Sequence, residues 1–218
     1  MSDWLIEERA RRRLAAEKLL FAKKKAGEIR VCLVYPNRYA VAMGNLGFQA
    51  VYEIIDRSPR FVCERAFLPE ADEAIPRAGL RSLESRTRVQ DFDLIAFSVS
   101  FETDYWHVVR QLDLIGIPAR SAERDGSHPL VIAGGPAVFL NPEPLADFID
   151  LFLIGEAEEM LPELLEQYAQ LRPSSGRPDR QQVLDAATKN VGGAYVPANY
   201  QPVFDGAITV DLAHSAAA

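Results

Sequence analysis

Residues 129–159 read PLVIAGGPAVFLNPEPLADFIDLFLIGEAEE. Two apolar runs stand in this stretch, residues 130–133 and 150–154, and each stops at glycine. The first meets Gly134, Gly135 and Pro136, the second Gly155 and Glu156. Runs of about 4–8 apolar residues that end at glycine and lead into helical sequence read as buried parallel strands of an α/β sheet. Ligands of such open sheets bind outside the carboxyl ends of the strands. Both glycine turns are therefore expected on one ligand-facing rim.

Upstream, residues 93–100 (DLIAFSVS) form the most hydrophobic run and read as a central strand, ending in Ser98, Ser100, Glu102 and Thr103. Thr103 or Asp104 is expected to cap a helix whose stripe is Tyr105, Val108, Val109, Leu112 and Ile115, with Gly116 as its stop. Residues 61–68 (FVCERAFL) read as another strand and residues 80–83 as a short edge strand. Residues 29–35 (IRVCLVY), bounded by Gly27 and Pro36, make the first buried strand. In the segment after it, Asn45 is placed as the N-cap of a helix running to about residue 56, with Leu46, Val51, Ile54 and Ile55 as its buried stripe. Gly44 and Gly47 permit close backbone approach to a ligand, without a G-x-G-x-x-G or Walker pattern.

Downstream, residues 156–171 predict a helix with Met160, Leu161, Leu164, Leu165 and Tyr168 inward and Pro162 near its start. Residues 172–179 (RPSSGRPD) are linker-like; a short helix over 179–189, an extended segment at 194–197 and a frayed end at 214–218 follow. Five strands alternating with helices predict an α/β, doubly wound (Rossmann-like or flavodoxin-like), mainly parallel five-stranded sheet, preceded by an N-terminal helix. Three segments result: residues 1–26, 27–171 and 172–218.

The N-terminal helix is predicted over residues 2–25, which lack Gly and Pro; among its apolar residues are Trp4, Leu5, Leu14, Leu19, Leu20 and Phe21. Eight Lys/Arg against four Asp/Glu give residues 1–25 a net +4, leaving −11 of the overall −7 to the remainder. Residues 9–25 could dock on nucleic acid or an acidic partner, or the helix could pack on the domain edge through Trp4 and the leucines. Lack of aromatic interleaving favours the second.

The chain of 218 residues is 48% hydrophobic and 25% charged, which suits one soluble domain with appendages or two small ones. Its net charge of −7 argues against a nucleic-acid binder as a whole. Cys32 and Cys63, without a leader sequence, point to a reducing, cytoplasmic setting. No run approaches the about 20 apolar residues of a membrane span. Ser98 and Ser100 lie outside any G-x-S-x-G elbow, and His107 falls one turn into a helix, where a polar face accounts for it. Three histidines and two cysteines show no metal-ligand spacing, and Glu156, Glu158 and Glu159 read as first-turn glutamates. No catalytic residue and no metal ligand is assigned.

GGPAVFLNPEPLADFIDLFLIGEAEEMLPELLE (134–166) resembles the end of the cobalamin-binding-like domain that precedes the catalytic barrel in many radical SAM enzymes. VYPNRYAVAMGNLGFQAVYEIID (34–56), FDLIAFSVSFETDYWHVVRQLDLIGIP (92–118) and AYVP (194–197) narrow the likeness to a group of long bacterial radical SAM proteins in which this domain is N-terminal. The resemblance implies a cofactor rim made of Met43, Gly44, Asn45, Gly47, Ser98, Ser100, Gly134, Gly135, Pro136, Gly155 and Glu156. It implies cobalamin as ligand, and a [4Fe–4S] cluster and S-adenosylmethionine in a barrel supplied in cis or by an adjacent chain. Three departures stand out. The Asp-x-His-x-x-Gly lower-ligand motif is absent, Ala157 replaces the second glycine of the usual Gly-Glu-Gly-Glu, and no Cys-x-x-x-Cys-x-x-Cys is present. The expected role is an accessory domain, not catalytic alone, that covers cofactor or substrate. The alternatives are a stand-alone cobalamin or nucleotide module, and a structural domain that has lost its cofactor.

Overall fold

The computed structural model describes residues 3–18, 21–73, 79–205 and 208–214. Helix α1 (Asp3–Ala16) precedes β1 (Ile29–Tyr35), two helices α2 (Tyr39–Met43) and α3 (Leu46–Arg57), and β2 (Phe61–Phe67). Then β3 (Leu94–Ser98) leads to α4 (Tyr105–Ile115), β4 (Leu130–Gly134) to α5 (Pro136–Leu140) and β5 (Leu151–Leu153) to α6 (Ala157–Leu171). Helix α7 (Arg180–Asn190), β6 (Ala194–Tyr195) and a hairpin of β7 (Tyr200–Asp205) and β8 (Ile208–His214) complete the described chain.

The main sheet has the order β2-β1-β3-β4-β5-β6. Its first five strands are parallel, as the strand-then-glycine pattern predicts, and the two-residue β6 adds antiparallel to β5. The order 2-1-3-4-5 is that of flavodoxin-like sheets, whose ligand crevice opens where winding reverses, between β1 and β3. Side-chain alternation sorts the strand residues onto two faces. Leu33, Ala96, Ile132 and Leu153 belong to the core shared with α3, α6 and α7, and Val34, Phe97, Ala133 and Phe152 to the core beneath α4 and α5. Each large apolar side chain so buried contributes about 1.5–3 kcal/mol. The five apolar residues predicted to face inward from α6, Met160 to Tyr168, are all buried. Among the described residues no helix is long and apolar enough to cross a membrane.

Several local expectations are corrected. Helix α1 stops at Ala16 instead of running to residue 25. The Glu17 carboxylate accepts from the buried Arg65 guanidinium at 2.7 Å and from the Tyr39 hydroxyl at 2.8 Å, and the backbone N–H of Lys24 donates to Asp56 at 2.9 Å. These tertiary bonds hold the arm in a path that a helix would not allow. Helix α1 packs through Ile6 and Ala10, while Trp4 and Leu5 are exposed. Its arginines are engaged within the chain: Arg9 with Asp72 and Glu73, Arg13 with Glu70. Residues 80–83 form no strand, only a single bridge between Arg81 and Arg88. In α3 the buried residues are Phe48, Tyr52, Ile55 and Asp56, and Leu46 stands in solvent. Residues past 171 add α7 and β6 to the same body, against α6 and β5. Leu19, Leu20 and residues 215–218, part of the expected helix and frayed end, lie outside the described residues.

At the amino-terminal edge of the sheet, Asp150 ties β4 to β5. Its Oδ2 accepts from the Val131 N–H at 2.7 Å and pairs with Arg180, and its Oδ1 pairs with Arg124 at 3.1 Å. The opposite, carboxyl edge is left open.

Candidate functional site

A cavity of about 620 Å³ lies between helices α3 and α6, over the carboxyl ends of β1, β3, β4 and β5. That volume falls within the about 300–1,000 Å³ range of small-molecule sites. Strand register builds the floor. Leu33 lies beside Ala96 and Ala96 beside Ile132; one step further on the same face, Ser98 lies beside Gly134 and Gly134 beside Leu153. Ala50, Val51 and Ile54 of α3 form one wall and Ala157, Met160 and Leu161 of α6 the other. The space exists because Ala50, Ala96 and Gly134 are small where larger side chains would close it.

Nine of the eleven residues predicted on the rim line this cavity: Asn45, Gly47, Ser98, Ser100, Gly134, Gly135, Pro136, Gly155 and Glu156. Met43 and Gly44 do not. The Met43 thioether turns to the Arg65 guanidinium at 3.4 Å, and Gly44 caps α2 with ordinary right-handed backbone. Asn45 caps α3 as expected, its Oδ1 accepting from the Phe48 N–H at 2.8 Å. Its Nδ2 donates to Ser100 Oγ at 3.0 Å and so joins the start of α3 to the loop after β3 at the cavity mouth. Ala157, where a glycine was expected, is the first residue of α6 and lines the cavity without closing it.

The adjacent glycines of the β4 turn do different work. A Cβ on Gly134 would meet Leu153 O at 3.5 Å, an ordinary contact, and would sit on the cavity floor. Gly135 has φ +114 and ψ 171, and a Cβ there would lie 2.6 Å from Val99 O. Gly134 thus makes room, and Gly135 lets the chain turn against the end of β3.

Among the described residues Glu156 and Glu158 are the charged residues of the lining, with no Lys, Arg or His. A ligand anion would find no counter-ion inside, and an apolar group would meet an apolar floor. Val41, Leu46, Phe101, Trp106, Phe139 and Leu140 are 45–85% exposed. All six follow the carboxyl ends of β1, β3 and β4, and Leu46, Phe101 and Phe139 also line the cavity. Exposed apolar surface of this kind marks an interaction site. Sequence periodicity missed Leu46, Phe101 and Phe139 as site residues. The signal available was their position in the segments that follow strand ends, eleven residues past β1, three past β3 and five past β4.

Metal chemistry finds no support in the residues. Cys32 and Cys63 are fully buried on neighbouring strands and belong to opposite cores; burial pushes both thiols well above their usual range. Among the described residues no group of three or more His, Cys, Asp or Glu is arranged to hold a metal ion.

An open, doubly wound α/β domain with a ligand-sized cavity at its switch point is the class defined by this geometry. The family model described as the N-terminal region of radical SAM proteins matches residues 47–197, from the cavity wall on α3 to just past β6, and the chain belongs to that family. It is also similar to an uncharacterized protein of Methanocaldococcus jannaschii, 24% identical over 128 residues, which are 59% of this chain and 24% of that protein. The chain thus spans about a quarter of the length of that relative. Two cysteines cannot supply the thiolate set that holds an iron–sulfur cluster, so no cluster-dependent step is assigned to these residues.

Proposed function

We propose that this chain is an accessory domain of a radical SAM protein, that its carboxyl rim is covered by the catalytic barrel, in cis or on an adjacent chain, and that its cavity holds an apolar ligand group at that junction. The observation that carries the reading is the set of exposed apolar side chains that follow β1, β3 and β4, three of which line an open cavity. Covering each would contribute about 1.5–3 kcal/mol, a strong drive towards a matching surface. The test is association of the purified chain with the catalytic barrel of a radical SAM protein of this family. Leu46→Glu with Phe139→Glu should abolish the complex while leaving the melting temperature unchanged, because both side chains stand in solvent. A complex indifferent to the pair of charges would overturn the reading.

Cobalamin is the cofactor implied by the resemblance, and the residues suit its apolar tail group. Ala96, Ile132, Gly134 and Leu153 would form the bed, Val51 and Met160 the sides, and the Asn45–Ser100 bond the edge of the mouth. Residues 36–44 after β1 contain no histidine, so no imidazole reaches the cofactor from that loop. Cobalamin, when bound, supplies radical chemistry at its metal; this chain would bind, orient and desolvate it. Among the described residues no basic side chain lines the cavity, which weighs against a nucleotide whose phosphates enter it and requires the phosphodiester of the cobalamin tail to stay outside. Titration with hydroxocobalamin should shift the corrin absorption bands, and Gly134→Leu, which fills the floor, should abolish the shift. No shift at high protein concentration would remove cobalamin and leave the docking role. Free, buried thiols suit a reducing compartment, and we place the protein in the cytoplasm.

A further inference from the structure

At the start of α4, past the carboxyl end of β3, lies a polar cluster that the docking reading does not use. Asp104 occupies the N-cap position of α4, where an aspartate ordinarily accepts from the helix's first N–H groups; here its side chain makes no cap bond. Instead Oδ1 accepts from Asn37 Nδ2 at 3.0 Å and lies 3.1 Å from His107 Nδ1. Asp104 is 2% exposed, and its Oδ2 is buried with no hydrogen-bond partner. Asn37 is itself fixed, its Oδ1 accepting from the Arg38 N–H at 2.9 Å, which leaves its amide N–H₂ to face Asp104. The Trp106 ring packs on the imidazole with centroids 4.1 Å apart.

With Asp104 as a carboxylate, Oδ1 can only accept, and His107 Nδ1 donates. The neutral imidazole then carries its proton on Nδ1 and a bare lone pair on Nε2. No protein group takes that lone pair among the described residues, and the side chain is 19% exposed, beside the exposed Trp106. Burying a carboxylate this deeply is costly to the fold, and its Oδ1 is spent on orienting the imidazole. We propose that Asp104 and His107 form a proton-transfer pair on the carboxyl rim, with Nε2 set in advance to take a proton from an O–H or N–H group of a substrate brought to that rim. The proton passes from the substrate to Nε2, Asp104 keeps the Nδ1–H bond and stabilises the imidazolium, and the proton leaves to product or water. Only the arrival of a substrate rests on the docking reading; the state of the pair does not.

Two measurements on the whole chain test it. Long-range ¹H–¹⁵N correlation spectra at alkaline pH should show His107 as the Nδ1–H tautomer; the Nε2–H tautomer would overturn the proposal with no substitution made. Mapped carbethoxylation by diethyl pyrocarbonate at alkaline pH, where both imidazoles are neutral, should modify His107 faster than His128, and Asp104→Asn should slow His107. A rate at His107 unchanged by Asp104→Asn in folded protein would overturn it too. Failure of the barrel to dock on the rim would leave both results as predicted, so the two ideas fail separately.

Discussion

Adding one methyl group at Gly135 should unfold this domain several degrees early, while the same methyl at Gly134 should not. Gly135 sits at φ +114 and ψ 171, a region open in practice to glycine alone, where another residue costs about 1–3 kcal/mol. Its new Cβ would also lie 2.6 Å from Val99 O and 3.1 Å from Val99 C and N. That peptide cannot step aside freely, because Val99 N donates to Gly134 O at 2.9 Å and Val99 O accepts from Ala137 N at 3.2 Å. Losing one of those bonds adds about 1 kcal/mol, for a total of about 3 kcal/mol. In a chain of this size that is a drop in melting temperature of about 6–12 °C. Gly134 has no positive φ, and its Cβ would make only ordinary contacts with Leu153. Gly134→Ala should be neutral or stabilise by up to about 1 kcal/mol, through lost freedom of the unfolded chain. Thermal melts followed by far-ultraviolet circular dichroism decide the matter. If Gly135→Ala melts within about 2 °C of the parent, the assignment of Gly135 to backbone packing and Gly134 to cavity space is refuted.

Two further outcomes are expected. Asp150→Ala strands Arg124, a fully buried guanidinium, and should cost about 3–5 kcal/mol, read from urea midpoints; a loss below about 1 kcal/mol would show that the network carries no stability. Glu64 governs part of the acid limb: burial alone would raise its carboxyl, but hydrogen bonds from Ser85 and Ser82 and the Arg30 guanidinium outweigh it and hold the group below its ordinary value. The folded form then binds this proton less tightly than the unfolded chain, whose carboxyl titrates near about 4.3. The stability from Glu64 is therefore full above that value and lost as pH falls through the lower folded one. Glu64→Gln should lower stability near neutrality and flatten the urea midpoint between about pH 5 and about pH 3; an unchanged acid limb would contradict this.

The sheet was readable because its determinants are local in sequence. Apolar runs ending at Ser98, Gly134 and Gly155 report both burial and the close turn at a strand end, and those three positions meet at one cavity. The cavity itself was not readable: it depends on how far α3 stands from α6, which small residues permit but no period encodes. Leu46 was misplaced because an apolar residue just after an N-cap fits a buried stripe and an open rim equally well. Helix α1 was overextended because composition cannot show that Glu17 is drawn to Arg65, 48 positions away. His107 looked like a polar helix face in isolation; only the structure turns Asp104 away from its helix cap and onto the imidazole.

Hydrogen–deuterium exchange of the chain, alone and with the catalytic barrel of a radical SAM protein of this family, tests the central claim most directly. The account predicts protection confined to the carboxyl rim: residues 39–47, 98–107, 135–141 and 155–158. Protection on the opposite edge, around Arg124, Asp150 and Arg180, or none anywhere in a formed complex, would contradict it.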